Sequence, residues 1–194
     1  EILLVAGKGH EEKQDYGSKI INFSDKKIIK KILSNKNLIS KEMINKIEFQ
    51  NLNYSGVAID TRNIKKNNLF FALKGKKSDG HKFVKEAIKQ GAAKCIISKK
   101  IKRFPRNKII KVKDTFSSLN RLAKIKRDQT SAKIIGITGS SGKTTLKNLV
   151  GFALKNYGKV YHSPHSYNNK YGVPLSLSHL KKNTDYGVFE IGMD

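Results

Sequence analysis

Residues Ile134 to Thr145, IIGITGSSGKTT, limit what this chain can be more than any other stretch. Ile134 and Ile135 close a short apolar run of the kind that forms a buried parallel strand. Gly136, Gly139 and Gly142 break that run. Lys143-Thr144-Thr145 then opens a helical pattern with Leu146, Leu149, Val150 and Ala153 on one face. Strand, glycine loop and helix, in that order, make the setting of a phosphate-binding loop. Glycines let backbone N–H groups approach a polyphosphate, and the helix N-terminus adds partial positive charge. A lysine at that point reaches the β- and γ-phosphates, and the next hydroxyl can ligate Mg²⁺. The general pattern carries a glycine five residues before Gly142, where this chain has Ile137. The residues therefore read as a nucleotide site, against the alternative of a plain glycine turn with a surface lysine.

Around this stretch strands and helices alternate. Ile2 to Ala6 reads as a buried strand followed by GKGHE, and Lys26 to Leu33 as a helix behind a Ser24 or Asp25 cap. Asn35 to Asn37 is a polar break, and Ser40 starts a short helix through Ile47. From Tyr54 onward, strands are expected at Val57–Ile59, Leu69–Leu73, Cys95–Ser98 and Lys108–Val112. Helices are expected behind Asp79-Gly80-His81 and behind a cap at Asp114, the latter with Phe116, Leu119, Leu122, Ala123 and Ile125 inward. After the phosphate loop come a strand at Lys159–His162, a short helix after Gly172 and a strand at Tyr186–Ile191. That last strand carries Glu190 near its C-terminal end, where open α/β sheets bind ligands. The expected fold is therefore α/β. A small mixed α/β domain (54–130) precedes the start of a P-loop parallel-sheet domain (131–194). Both follow a strand–helix remnant of another α/β domain (1–34) and a linker (35–53).

Charge and cysteine usage narrow the function classes. Forty Lys and Arg against fifteen Asp and Glu give a formal charge of +25. By itself that suits an anionic partner such as nucleic acid. The lysines, however, are spread along the whole chain without a basic tail or zinc-finger spacing, and a field of this sign also attracts phosphorylated small molecules. Cys95 is the single cysteine, which excludes an internal disulfide and a cysteine metal site and suits a reducing cytoplasm. No apolar run approaches the roughly 20 residues of a membrane span. His81, His162, His165 and His179 fit structural or surface roles.

Six ordered runs, SGVAIDTR, NLFFALKG, DGHKFVKEAIKQGAA, GITGSSGKTT, YNNKYGVPLSL and FEIGMD, resemble the Mur ligases, the ATP-dependent amide-forming enzymes of peptidoglycan precursor synthesis. That family's loop shares the offset that puts Ile137 where the general pattern has glycine. Residues 54–194 are similar to the branch that adds D-Ala-D-Ala to a UDP-MurNAc-tripeptide. Residues 1–34 are similar to the C-terminal end of the branch that adds the third peptide residue, so the chain resembles a segment across a fusion of the two.

The resemblance implies ATP and Mg²⁺ as cofactors and UDP-MurNAc-tripeptide and D-Ala-D-Ala as substrates. It implies a cytoplasmic, monomeric enzyme with no nucleic-acid partner and no membrane insertion. It implies ATP contacts from Gly139, Ser140, Ser141, Gly142, Lys143, Thr144 and Thr145, with Lys143 catalytic and Thr144 and Glu190 on the metal. Asp60, Thr61, Arg62, Asn168 and Asn169 would serve the UDP-sugar substrate. Gly7 and Glu11 match positions that hold the incoming amino acid in the other branch. Ser166 stands where many relatives carry Asn. A segment of this extent is expected to be inactive alone, because the family closes a further domain over the ATP.

Overall fold

The computed structural model describes residues 49–75, 78–101 and 104–192 in full, and the backbone of residues 2–6, 13–15 and 20–22. The expected helices at 26–33 and 40–47, the polar break at 35–37, and Gly7 and Glu11 lie outside the described residues.

The first sheet is fully parallel, with four strands in sequence order: β4 (Gly56–Ala58), β5 (Asn68–Phe71), β6 (Lys94–Ile97) and β7 (Ile109–Lys111). The four residues of β5 are all apolar after Asn68, as expected of a strand covered on both faces. Its alternation splits them cleanly. Leu69 and Phe71 join Phe49, Val57, Ile96 and Val112 on one side, and Phe70 joins Ala58, Cys95 and Ile97 on the other. Helix α1 (Val84–Lys89) covers the second side with Val84 and Ala87. Helix α2 (Thr115–Asp128) covers the first with Leu119 and Leu122. Its start is fixed by Asp114, whose carboxylate accepts the Ser117 N–H at 2.6 Å, as its position ahead of the apolar repeat predicts.

The second sheet is also parallel, in the order β1, β8, β10, β9. It comprises β1 (Ile2–Ala6), β8 (Lys133–Thr138), β9 (Val160–His162) and β10 (Tyr186–Glu190), and β1 lies in register on β8 from Ile2↔Ile134 to Ala6↔Thr138. The short strands β2 (Lys13–Asp15) and β3 (Ile20–Asn22) pair only with each other, antiparallel. Helix α3 (Lys143–Ala153) packs on the sheet through Val150, with Leu154 beyond it, against Ile135, Ile137 and Val188.

A short helix, α4 (Gly172–Leu177), links the two sheets. Its Leu175 enters the core under the first sheet, and Tyr171 meets Phe116 of α2 edge-on at 5.2 Å between ring centroids. His179, just after α4, accepts the Val57 N–H through Nε2 at 3.4 Å and donates from Nδ1 to the Leu175 carbonyl at 2.8 Å. The C-terminal segment is thus seated on both sheets.

Candidate functional site

The glycine loop leaves the C-terminal end of β8 and turns into α3 at Gly142, whose φ of 72° is left-handed. No neighbour lies within 4 Å of the position a Cβ would take there, so the backbone angle alone is what favours glycine. Gly142 caps α3 without a side-chain acceptor, and the first turn holds no acidic residue. The positive end of the helix and its first N–H groups therefore have no carboxylate of their own turn. Lys143 folds back over the loop, its Nζ donating to the Gly139 carbonyl at 2.7 Å and lying 3.4 Å from that of Ser140.

The parallel register of β10 on β8 sets Glu190 opposite Ile137, and the Ile191 N–H extends the ladder to the Ile137 carbonyl at 2.8 Å. Glu190 is only 2% exposed, and its oxygens are shared among three partners. The Thr144 hydroxyl donates to Oε2 at 2.7 Å, the Asn168 amide donates to Oε1 at 2.7 Å, and the Lys147 amine lies 3.9 Å from Oε2. Ser166 Oγ is 3.1 Å from Thr144 Oγ1. Two hard oxygen donors, one hydroxyl and one carboxylate, meet beside the phosphate loop. A threonine that gives its proton to a carboxylate keeps its lone pairs for a cation, so the donor set fits Mg²⁺. Among the described residues no group of three or more His, Cys, Asp and Glu forms a metal cage. Magnesium is commonly held by one or two protein ligands with phosphate and water completing the shell.

Segment 163–169 crosses above this pair. His165 takes a left-handed φ of 52°, one of two non-glycine positive-φ residues among the described residues. The kink turns Ser166 and Asn168 toward Thr144 and Glu190. Asn169 points elsewhere: its side-chain Oδ1 accepts the N–H groups of Tyr171 and Gly172, at 3.0 and 2.9 Å, at the start of α4. The DTR turn lies beyond the end of β4. Asp60 accepts the Arg62 N–H at 2.9 Å and both Nε contacts at 3.0 Å, which holds its carboxyl below the usual range. The same carboxylate raises the Arg62 guanidinium, chiefly through the side-chain hydrogen bond. Thr145 is turned away from Glu190. It lines an open groove of about 430 Å³ with Leu149, Phe152, Lys155 and His162.

One residue in this region, Lys147, carries weight that the sequence reading missed. Lys147 is 1% exposed, its amine donating to the His165 carbonyl. Burial pushes that amine below its ordinary range, and the Glu190 carboxylate pulls it back. Burial, aided by Lys126 and Lys65, likewise lowers His179. His179 and His81 fit the structural reading. His81 spans Asp79 (Nδ1 to Oδ1, 2.6 Å) and Ser98, whose backbone N–H takes up the Nε2 lone pair at 3.0 Å. That lone pair is then not available to activate the Ser98 hydroxyl 3.2 Å away.

A parallel sheet whose glycine loop and helix meet a threonine–glutamate pair at the strand ends defines a P-loop α/β unit, here joined to a smaller parallel α/β unit. The chain belongs to the Mur ligase family. The profile of the Mur ligase family catalytic domain matches residues 53–127, and that of the Mur ligase middle domain matches residues 137–194. Among curated proteins, it is 37% identical over 149 residues to a UDP-N-acetylmuramoyl-tripeptide–D-alanyl-D-alanine ligase of Rickettsia prowazekii, covering 76% of this chain and 33% of the relative. The ligase of that name in Bacillus subtilis is 37% identical over 71% of this chain and 30% of its own length. Of solved structures, MurF from Acinetobacter baumannii matches with a TM-score of 0.62 at 33% identity, over 71% of this chain and 30% of that one. The MurF ligase from Thermotoga maritima in complex with ADP matches at 0.60 and 33% identity, over 73% and 33%. The chain spans about a third of the length of the curated relatives it matches. No helix among the described residues is long and apolar enough to cross a membrane.

Proposed function

We propose that this chain forms the UDP-substrate region and the ATP phosphate site of a ligase that joins D-Ala-D-Ala to a UDP-MurNAc-tripeptide. The observation that carries it is the buried Glu190 carboxylate holding the Thr144 hydroxyl at the mouth of the glycine loop. In the proposed reaction the tripeptide's terminal carboxylate attacks the γ-phosphorus of ATP. ADP leaves and an acyl phosphate forms. The amine of D-Ala-D-Ala then attacks that carbonyl, loses a proton, and expels inorganic phosphate. A carboxylate is a weak nucleophile and is repelled by the polyphosphate it must approach, so orientation and charge neutralisation supply most of the rate.

Gly139 to Thr145 offer backbone N–H groups and a helix N-terminus to the phosphates, and Lys143 leaves the Gly139 carbonyl to bind the γ-phosphoryl oxygens. Thr144 and Glu190 would hold Mg²⁺, which when bound screens the β- and γ-phosphate charge. Asp60, Thr61 and Arg62 would contact the UDP-sugar substrate, and Asn168 orients Glu190 through its 2.7 Å hydrogen bond. The relatives named as ligases of this substrate pair, the spread positive charge and the inert Cys95, buried and pushed up to about 12, support a cytoplasmic enzyme acting on phosphorylated small molecules. We assign residues 54–130 to the substrate unit and 131–194 to the start of the ATP unit.

The test is ADP release by the full-length ligase. It should require both UDP-MurNAc-tripeptide and D-Ala-D-Ala, and Lys143→Ala should lower it about 1,000-fold while leaving UDP-substrate binding within a factor of about two. ADP release with UDP-MurNAc-dipeptide and a single amino acid instead would assign the chain to the branch that adds the third residue.

A further inference from the structure

We propose that Lys147 is a positioning residue for the metal side of the site, an inference that rests on the nucleotide reading above. Lysine is among the costliest side chains to bury. Yet Lys147 lies on the helix stripe that faces the sheet and is 1% exposed. Its amine donates to the His165 carbonyl and stands 3.9 Å from Glu190 Oε2. Both partners matter to the same geometry. His165 is the left-handed kink, and the residues immediately after it supply Ser166 Oγ, 3.1 Å from Thr144 Oγ1, and the Asn168 amide, 2.7 Å from Glu190 Oε1.

Lys147 therefore ties three elements at one point: the phosphate-loop helix, the kinked segment and the strand carrying the carboxylate. With it in place, Glu190 has one oxygen on Thr144 and the other on Asn168 before any cation arrives. A carboxylate constrained in this way loses little freedom when it receives a metal. The lysine touches neither nucleotide nor reacting atoms.

Charge and position predict opposite signs, which makes the idea testable. A cation 3.9 Å from Glu190 repels a second one. If Lys147 acted by charge alone, removing it would lower the Mg²⁺ concentration needed for nucleotide binding. If it acts by position, removing it raises that concentration. The experiment is calorimetric titration of ATP into the full-length ligase across a Mg²⁺ series, with Lys147→Met and Lys147→Arg. Lys147→Met should raise the half-maximal Mg²⁺ concentration about tenfold and leave Mg²⁺-free ATP binding unchanged, with Lys147→Arg between it and the parent. An unchanged or lower Mg²⁺ requirement in a folded Lys147→Met protein would overturn the proposal. Should Lys147→Met fail to fold, Lys147→Arg decides, because it keeps the charge and alters only the position. Position predicts a raised Mg²⁺ requirement in that variant. An unchanged or lower requirement in Lys147→Arg would equally refute the proposal. Failure of the parent protein itself to bind ATP would instead sink the nucleotide reading.

Discussion

Thr144 does two things through one hydroxyl. It donates its proton to Glu190 at 2.7 Å, and it leaves its lone pairs facing the phosphate loop. Replacing it by valine keeps the shape and removes both functions. Thr144→Val should cost about 1 kcal/mol in nucleotide-free thermal stability and abolish the Mg²⁺ enhancement of ATP binding, whereas Thr144→Ser should retain the enhancement. Calorimetry on the three proteins checks this; a valine variant with full Mg²⁺ enhancement would remove Thr144 from the metal side. Thr144 and Glu190 were legible in the sequence because each stands at a fixed offset from a strand end, and strand ends in parallel sheets converge. Lys147 was not. A lysine on a helix defaults to solvent in any sequence reading, and its carbonyl partner, His165, is made available by a backbone kink that no residue type announces. Asn169 entered the candidate list through the paired asparagines of the resemblance, and in the fold its side-chain Oδ1 accepts the N–H groups at the start of α4.

At the scale of elements, the strands and helix starts followed from local chemistry. Asp114 capped α2 as its spacing required, and Asp114→Ala should lower stability by about 1 kcal/mol, read as a fall in the thermal midpoint. The inward face of α3 was harder. The sequence pattern put Leu146, Leu149, Val150 and Ala153 on one buried stripe, but Leu149 is 61% exposed and Phe152 70%, while Lys147 and Gly151 are buried. Apolar residues ring most of this helix, so periodicity could not choose among faces, and the sheet contact is made by Val150 and Leu154 instead. Helix α4 begins under a tighter constraint. A Cβ on Gly172 would lie 2.6 Å from the Tyr167 carbonyl carbon. Gly172→Ala should therefore push the 163–169 segment off the site, costing about 1–3 kcal/mol and weakening Mg²⁺-dependent ATP binding as well. Loss of stability with intact Mg²⁺ dependence would separate α4 from the site.

Across the whole molecule, the two parallel sheets are tied by few groups, and His179 is one of them. It works in the neutral form, Nε2 accepting from Val57 and Nδ1 donating to Leu175. Burial, with Lys126 and Lys65 nearby, holds its folded pKa below the ordinary value of about 6.5. The unfolded chain therefore binds the proton first, so the bridge contributes its full stability above about pH 6.5 and loses it as pH falls through the depressed folded value. His162, lowered by burial, Lys147 and Lys155, acts in the same direction. The thermal midpoint should fall between pH 7.5 and 5.5. His179→Asn should be about 1 kcal/mol less stable at pH 7.5 and show a smaller fall; an undiminished fall would put the titration elsewhere. The crossing itself was invisible in the sequence, because it joins residues 122 positions apart.

The central claim is that a nucleotide's magnesium sits between the phosphate-loop threonine and the β10 glutamate. A crystal structure of the full-length ligase grown with ADP and Mn²⁺ tests it most directly, since the anomalous signal locates the ion without assumption. The account predicts a peak in bonding contact with Thr144 Oγ1, about 2.1 Å away, with Glu190 in the same coordination shell or one water removed. A peak on the phosphates with Glu190 still holding Thr144 and Asn168 and taking no part would contradict it.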